Sequence, residues 1–318
     1  MRILIVGAGG AYRTEISIAR AAESLGHQAT VLDALGWRRR LGPLAGPWLR
    51  SRADAFRPDY ILCTRHAIAA GARTIGRMVK GRESAFWYFD GISPLPPRAT
   101  ELARLVSRTF ATTGFETDAF AALGLESHFL PQGMDPGIDQ PAATAPAAFQ
   151  CEVSFVGSGQ YRRRLALLEQ MARRFRLQIR GPGWENVPAS LPFHGGRVDG
   201  IAFAQVVRGA AISLGIDALE EQRQERRGGT SNRLWKVLGA GGLYLGEHVP
   251  GIEEFARNGE HAVWYRSNEE ALAQAGELLR DPERRARIAA AGRAHVLARH
   301  TYRHRLELLL RGQGYTST

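Results

Sequence analysis

The sequence contains little cysteine, almost no lysine and no long hydrophobic run. Its two cysteines, Cys63 and Cys151, each lie in an apolar stretch that predicts a β-strand. Two isolated thiols supply neither a disulfide framework nor a metal-ligand pattern, which favours a cytoplasmic protein without a bound metal. No apolar stretch reaches the roughly 18–20 residues that a membrane span requires, so we expect no transmembrane helix.

Arginine, by contrast, is abundant. The 42 basic residues exceed the 31 acidic ones and give a net charge of +11, yet lysine occurs only at Lys80 and Lys236. An arginine excess of this kind more often reflects codon bias than a binding surface. The chain shows no helix-turn-helix, zinc-finger or RNA-binding pattern, so we expect no nucleic-acid partner.

Residues 37–52 interleave tryptophan with arginine. Two interpretations stay open for this segment. It suits a peripheral contact with an anionic membrane, but a solvated basic face with one packed tryptophan is the interpretation that such a segment more often has.

The first half of the chain predicts alternating strands and helices. Residues 2–6 form a β-branched run, a glycine loop follows, and residues 15–25 carry apolar side chains at helical spacing. Further apolar runs continue the alternation, at 29–32, 60–63, 85–89, 109–112 and 127–130. Continuous apolar strands separated by helices indicate a parallel sheet that is covered on both faces.

A second series of the same kind follows a proline-rich segment. Its predicted strands are residues 152–156, 177–180, 191–194, 211–216, 243–246 and 261–265. The sequence therefore predicts an α/β protein with two Rossmann-like domains facing across a cleft, where ligands bind at the carboxyl ends of the strands. We expect an N-terminal domain at 1–135, a linker at 136–149, a C-terminal domain at 150–300, and a tail at 301–318 that packs back on the N-terminal domain.

The first glycine loop imitates a dinucleotide-binding fingerprint. Gly7 and Gly9 follow the first strand, and Asp33 ends the second. However, Tyr12 occupies the place of the third glycine, which disfavours a nicotinamide oxidoreductase. The loop could still present backbone N–H groups to an anion at a helix start.

The second half offers a stronger anion site. Thr230, Ser231 and Asn232 form a turn at a predicted helix start, and Arg233 and Lys236 follow on one helical face. Unpaired N–H groups, the helix dipole and two cations together favour a diphosphate. Farther on, Glu254 could accept hydrogen bonds from ribose hydroxyls. Alternatively, it could only interact favourably with the dipole of its own helix, as an acidic residue at the helix N-terminus.

The segment from Ser231 to Leu309 resembles the C-terminal half of group 1 glycosyltransferases of the GT-B fold, and is most similar to their spore-maturation-type, CgeB-like branch. The resemblance rests on the Ser231-x-Arg233 pattern, the PGIEEF turn and the closing TYRHR. Upstream, VSFVGS (153–158), LQIRGPGW (177–184) and PFHGGRV (192–198) are similar to that family's strand–loop segments, and 110–136 to the end of its first domain.

The resemblance implies a nucleotide-diphosphate-sugar donor in the C-terminal domain, an acceptor in the N-terminal one, and no required metal. It implies donor contacts from residues 230–233, Lys236 and Glu254. It also implies contacts from loops of the second domain: Gly157, Ser158, Arg163, Arg164, Gly181, Trp184 and His194. Many members carry glutamates where this chain has Lys236 and Gly228. Because this chain lacks both glutamates, it is in doubt whether the reaction retains the configuration at the anomeric carbon, as it does in members with the paired-glutamate motif.

Three residues at predicted strand ends are candidates for the base that an inverting transfer needs. They are Asp90, Glu15 and His66, in that order. Asp90 could equally cap a turn, and His66 could be a satisfied loop histidine. Two alternatives to a glycosyltransferase stay open: a nucleotide-sugar epimerase of the same fold, and a non-catalytic protein that binds nucleotide sugars.

Overall fold

A computed structural model describes residues 1–89, 91, 94–185, 188, 190–217 and 231–316. Contacts between Cα atoms divide the chain into two compact units. Among the described residues, the first unit comprises 1–132 and 302–316, and the second comprises 133–217 and 231–301. None of the helices in this part of the chain is long and apolar enough to cross a bilayer.

The first unit contains a six-stranded sheet in which every pairing is parallel. Its strands are β1 (Arg2–Gly7), β2 (Gln28–Asp33), β3 (Tyr60–Thr64), β4 (Glu83–Tyr88), β5 (Arg108–Ala111) and β6 (Ser127–Phe129). They lie in the order β2-β1-β3-β4-β5-β6. The helices among them are α1 (Thr14–Ser24), α2 (Ala34–Leu41), α3 (Ala45–Phe56), α4 (Ala72–Val79), α5 (Pro97–Ala103) and α6 (Gly114–Ala121).

Helices cover both faces of this sheet, which explains why its strands are apolar throughout. Leu4 and Val6 of β1 pack with buried residues of α3, α4 and α5. Ile3 and Ile5 face the other way and pack with Ile18 of α1. Because successive side chains of a strand point to opposite faces, a strand buried on both sides needs an uninterrupted apolar run.

The second unit repeats the arrangement with five strands, again all parallel. They are β7 (Cys151–Val156), β8 (Leu177–Arg180), β9 (Ala210–Gly215), β10 (Tyr244–Glu247) and β11 (Val263–Tyr265), in the order β11-β10-β9-β7-β8. The helices are α7 (Arg163–Arg174), α8 (Gly200–Gly209), α9 (Asn232–Gly239), α10 (Asn268–Arg280) and α11 (Pro282–Arg299), while α12 (Tyr302–Leu310) belongs to the first unit. The two α/β units confirm the predicted fold class.

One predicted strand is wrong, and two helices lie in a segment for which the sequence predicted no element. The strand expected at 191–194 is only an isolated bridge between Ile179 and Phe193, because prolines on both sides of Leu191 interrupt regular pairing. The 34–56 segment, which the sequence marked only by its tryptophans and arginines, forms α2 and α3 joined by a short turn. Asp33 caps α2, since its carboxylate accepts a hydrogen bond of 2.8 Å from the N–H of Gly36.

Each sheet has a topological switch point, where the connections that follow two adjacent strands lead to opposite sides of the sheet. In the first unit it lies between β1 and β3, and in the second between β7 and β9. Loops diverge above such a point, so ligands bind there, at the carboxyl ends of the strands.

Arg305 of α12 anchors the end of the chain to the first unit. This side chain is fully buried and its Nε donates to the carbonyl oxygens of Pro131 and Gln132, at 2.9 and 3.1 Å. Its guanidinium also lies 5.0 Å from the ring of Tyr315. Burial lowers the pKa of Arg305 to about 10, which still leaves the side chain charged at neutral pH.

Replacing Arg305 by alanine is expected to lower the free energy of unfolding by about 2–4 kcal/mol, because it removes the buried donor to the carbonyl oxygens of Pro131 and Gln132. Urea denaturation measures this loss. The control is Arg303→Ala, two residues away: Arg303 is exposed and pairs with Glu307 at 3.2 Å. We expect the control to change stability by less than about 0.5 kcal/mol. Equal losses in the two variants would contradict the anchoring role.

Candidate functional site

Arg233 projects from the start of α9 to the carboxyl end of β7. Ser231 caps the helix, and its hydroxyl accepts a hydrogen bond of 3.4 Å from the N–H of Arg233. The Nε of Arg233 donates to the carbonyl oxygen of Val156 at 2.6 Å, and the guanidinium lies 4.7 Å from the ring of Phe155. The cation is therefore held at the switch point of the second sheet.

Arg164 reaches the same point from α7. It is 5% exposed, and it donates to the carbonyl oxygens of Ser158 and Ile216 at 2.7 and 3.2 Å. Burial and the nearby charge of Arg233 lower the pKa of Arg164 to about 10. Two like charges are thus held together by backbone carbonyls, and an anionic ligand would relieve their repulsion.

Arg163, the preceding residue, turns to a carboxylate instead. Its two terminal nitrogens donate to the two oxygens of Glu247, at 2.8 and 2.7 Å, in a bidentate pair. Asp217, two residues after β9, lies beside this pair, and its N–H is 3.4 Å from Glu247. Burial and the charge of Glu247 raise the pKa of Asp217 to about 6, although the surrounding arginines oppose the rise. Arg163 is thus neutralised within the site.

The loops after β7 and β8 touch through glycines. A Cβ on Gly181 would meet the carbonyl oxygen of Gly157, and one on Gly159 would meet that of Gly183. The Gly181 backbone also has a φ of +134°, which only glycine adopts readily. Trp184 fastens the two loops together, since its indole N–H donates to Gly157 at 2.8 Å.

The first unit holds a buried carboxylate at its own switch point. Glu15, in the first turn of α1, is fully buried, and its Oε1 accepts hydrogen bonds from the Thr64 hydroxyl at 2.6 Å and the Ala8 N–H at 3.0 Å. Burial raises the pKa of Glu15, but hydrogen bonds from His66, Thr64 and the backbone outweigh it and leave the pKa below its ordinary value. Its Oε2 is buried without a hydrogen-bond partner among the described residues.

His66 completes the pair from the turn that follows β3. Its Nδ1 lies 3.0 Å from Oε1 of Glu15, and 16% of the His66 side chain is exposed. An ionised carboxylate can only accept, so we assign the proton to Nδ1, which leaves Nε2 as an acceptor when the ring is neutral. A histidine oriented by a buried carboxylate in this way is suited to act as a general base.

Comparisons with known proteins agree with these two units. Residues 162–311 match a family model described as glycosyl transferase-like, slightly less than half of the chain. No curated protein sequence matches. Among solved structures, HepE from Anabaena in complex with UDP and glucose is 14% identical, with 98% of each chain covered and a TM-score of 0.67. Sucrose-phosphate synthase from Thermosynechococcus elongatus is 12% identical over 98% of each chain, with a TM-score of 0.66.

A glycosyltransferase from Rickettsia africae is 13% identical, covers 98% of this chain and 97% of its own, and has a TM-score of 0.63. The chain has the GT-B fold. At these identities the likeness concerns the fold of this GT-B protein alone.

Three other residues that were predicted to contact the donor lie on the second GT-B domain, each in surroundings unlike those of Arg164 and Arg233. Ser158 follows β7 and contributes its carbonyl to Arg164. His194 is exposed, and its carbonyl accepts from Arg180 at 2.8 Å. Glu254 is exposed in a short helical turn, Ile252–Glu254. Their donor contacts stay predictions.

Asn232 and Lys236 lie on α9 with Arg233, but their side chains have different neighbours. Asn232 precedes Arg233, and its Oδ1 is buried without a hydrogen-bond partner in the described chain. The ammonium of Lys236 lies 5.9 Å from the ring of Phe203. Burial raises the pKa of Asp139, and the nearby positive charge of Lys236 opposes this rise. The structure therefore gives Arg233 and Lys236 different neighbours, although they are three residues apart.

Asp90 and Thr230 lie outside the described residues. Near the same predicted strand end, at Gly91, the structure shows a buried glutamate that the sequence pattern had not singled out. Glu116 is fully buried at the start of α6, where it accepts from the Gly91 N–H at 2.7 Å and from the Thr113 hydroxyl at 2.8 Å. The Thr113-x-x-Glu116 spacing of a capping box is the signal that could have identified it.

The glycine loop of the first GT-B domain packs against Glu15. A Cβ on Gly7 would meet both the Thr64 hydroxyl and the Glu15 carboxylate. Asp33, the expected ribose contact of a nicotinamide site, is occupied in capping α2. These contacts disfavour the oxidoreductase interpretation.

Proposed function

We propose that this GT-B protein is a glycosyltransferase that moves a hexose from a nucleotide diphosphate to an acceptor hydroxyl. The observation that carries the proposal is the pair of guanidinium groups, Arg164 and Arg233, which backbone carbonyls hold at the switch point of the second domain. Structures of HepE with UDP and with UDP-glucose support a uridine donor. The chain's motifs favour the CgeB-like branch.

The second domain would bind the donor. Arg233, the N–H groups at the start of α9 and residues 230–232, which the sequence predicts to form a turn, would receive the diphosphate, with Arg164 supplying further positive charge. The buried Oδ1 of Asn232 is suited to accept a hydrogen bond from a donor hydroxyl. Gly157, Gly181 and Trp184 would shape the adjoining loops, and His194, Lys236 and Glu254 would contact the sugar, phosphate or ribose. Arg163 would act indirectly, by holding Glu247.

The first domain would supply the base. Nε2 of His66 would accept the proton of the acceptor hydroxyl. At the same time the hydroxyl oxygen would form the new bond to the anomeric carbon of the sugar, and the bond from that carbon to the diphosphate would break. Glu15 would hold the ring and stabilise the resulting imidazolium, as carboxylates do in histidine-based sites. A base positioned for this step favours inversion of configuration. Arginine charges would balance the leaving diphosphate, so we propose that no metal is required.

The test combines a binding panel with a turnover assay. UDP is expected to raise the melting temperature by about 5 °C at saturating concentration, more than GDP, CDP or dTDP, and NAD is expected to have no effect. With UDP-glucose and a mixture of candidate acceptors, the protein should release UDP in the presence of EDTA. Binding without UDP release would indicate a non-catalytic protein, and conversion of the donor without an acceptor product would contradict transfer.

A further inference from the structure

The α2–α3 hairpin presents a basic surface that the proposed reaction does not use. The two helices are joined by a tight turn, Gly42–Leu44. We call this surface the arginine–tryptophan face, and it consists of Trp37, Arg38, Arg39, Arg40, Leu44, Trp48 and Arg52. All four arginines are exposed.

The charge of this face has little internal compensation. Residues 34–56 contain five arginines against a single acidic residue, Asp54, a local excess of four positive charges. Asp54 lies 3.6 Å from Arg82, outside the hairpin. Within the described residues, no carboxylate pairs with Arg39, Arg40 or Arg52. The face is therefore complementary to a negatively charged partner.

Aromatic and apolar groups separate the arginines. The rings of Trp37 and Trp48 lie 3.8 Å apart, with Arg40 at 5.4 Å over the first and Arg52 at 5.3 Å over the second. Leu44, at the tip of the turn, is 71% exposed, more than any other large hydrophobic side chain of the described chain. An exposed leucine in the turn between two helices that carry arginines and tryptophans suits the boundary between lipid headgroups and acyl chains.

A cavity of about 410 Å³ adjoins the hairpin. Arg38 and Arg98 line it together with Glu101, and Ile68 and Leu102 form part of an apolar wall. Two arginines beside apolar groups are suited to the phosphate and upper acyl chain of a lipid. Since Ile68 belongs to the Arg65–Ala70 turn that carries His66, the cavity links the hairpin to the turn of the proposed base.

We infer that the arginine–tryptophan face binds the surface of an anionic lipid bilayer. The arginines supply attraction to the headgroups, and Leu44 inserts into the interface. A nucleic acid would use the same arginines, but it would gain little from an exposed leucine at the tip. The inference goes beyond the proposed transfer reaction, because binding needs neither donor nor acceptor.

Co-sedimentation with lipid vesicles tests the inference on the full chain. The protein should sediment with phosphatidylcholine vesicles doped with phosphatidylglycerol, but not with phosphatidylcholine alone, and about 0.5 M salt should release it. Arg39→Glu/Arg40→Glu should weaken vesicle partitioning about tenfold or more, and Leu44→Asn about fivefold. Circular dichroism confirms that each variant is folded.

The matched control reverses two arginines elsewhere on the molecule. Arg173 and Arg174 are consecutive, exposed and in the last turn of α7, as Arg39 and Arg40 are in α2. Arg173→Glu/Arg174→Glu makes the same change in net charge and should leave vesicle binding within about twofold. Equal losses in the two double variants would overturn the inference, as would unchanged binding by Leu44→Asn or equal binding to neutral vesicles.

Discussion

A protein carrying His66→Ala is expected to turn over about 10²- to 10⁴-fold more slowly than the unmodified chain, with unchanged affinity for UDP. The loss arises because Nε2 of His66 is the proposed proton acceptor, while the donor residues lie on the other domain. Steady-state UDP release measures turnover, and isothermal titration calorimetry measures donor affinity. Exogenous imidazole should partly restore the rate, which a merely structural role of the histidine would not allow.

The control for this variant is a second histidine–glutamate pair of the same domain. Nε2 of His128 lies 3.0 Å from Glu126, but this pair is on the surface, with 27% of the histidine and 50% of the glutamate side chain exposed. His128→Ala should leave turnover within about twofold. A fully active His66→Ala protein would remove His66 as the base.

Glu15→Gln is expected to lower turnover by a smaller factor, about 10- to 100-fold. The amide of glutamine can keep the hydrogen bonds from Thr64 and Ala8, but it carries no charge to stabilise an imidazolium. The same steady-state assay measures the effect. Glu15→Gln activity equal to that of the unmodified protein would show that the reaction does not need the negative charge of Glu15.

Arg233→Ala is expected to reduce kcat/KM for the sugar donor by about 10²- to 10³-fold. Arg233 is held at the switch point by the Val156 carbonyl and the Phe155 ring, and charge develops on the leaving diphosphate as the bond breaks. Arg233→Lys should recover only part of the loss, because lysine lacks the planar fork that can hold a carbonyl and a phosphate together.

Two comparisons make the Arg233 result specific. Arg173→Ala removes an exposed arginine of the same domain and should leave kcat/KM unchanged. Lys236→Ala should weaken donor affinity by about tenfold, a smaller effect, because the ammonium of Lys236 lies over Phe203 and near Asp139. Unchanged donor affinity in a folded Arg233→Ala protein would reject the diphosphate site.

Much of the fold could be predicted from local pattern. Apolar runs predicted the strands because a sheet buried on both faces tolerates few polar side chains. Helix starts were predictable where a side chain caps its own helix, as Ser231 does. The strand expected at 191–194 was wrong because an apolar run does not ensure pairing when prolines remove donors. α2 and α3 were missed because their arginines and tryptophans follow no simple apolar period.

The sequence by itself determined two α/β units, the glycine loops and the presence of a basic helix start at 231–236. These follow from backbone conformation and from periodicities of a few residues. Only the tertiary structure decided which side chains meet. Glu15 and His66 are 51 residues apart and pair because β1 and β3 are neighbours in the sheet. Likewise, Arg163 and Arg164 are adjacent in sequence, yet helix geometry directs one to Glu247 and the other toward Arg233.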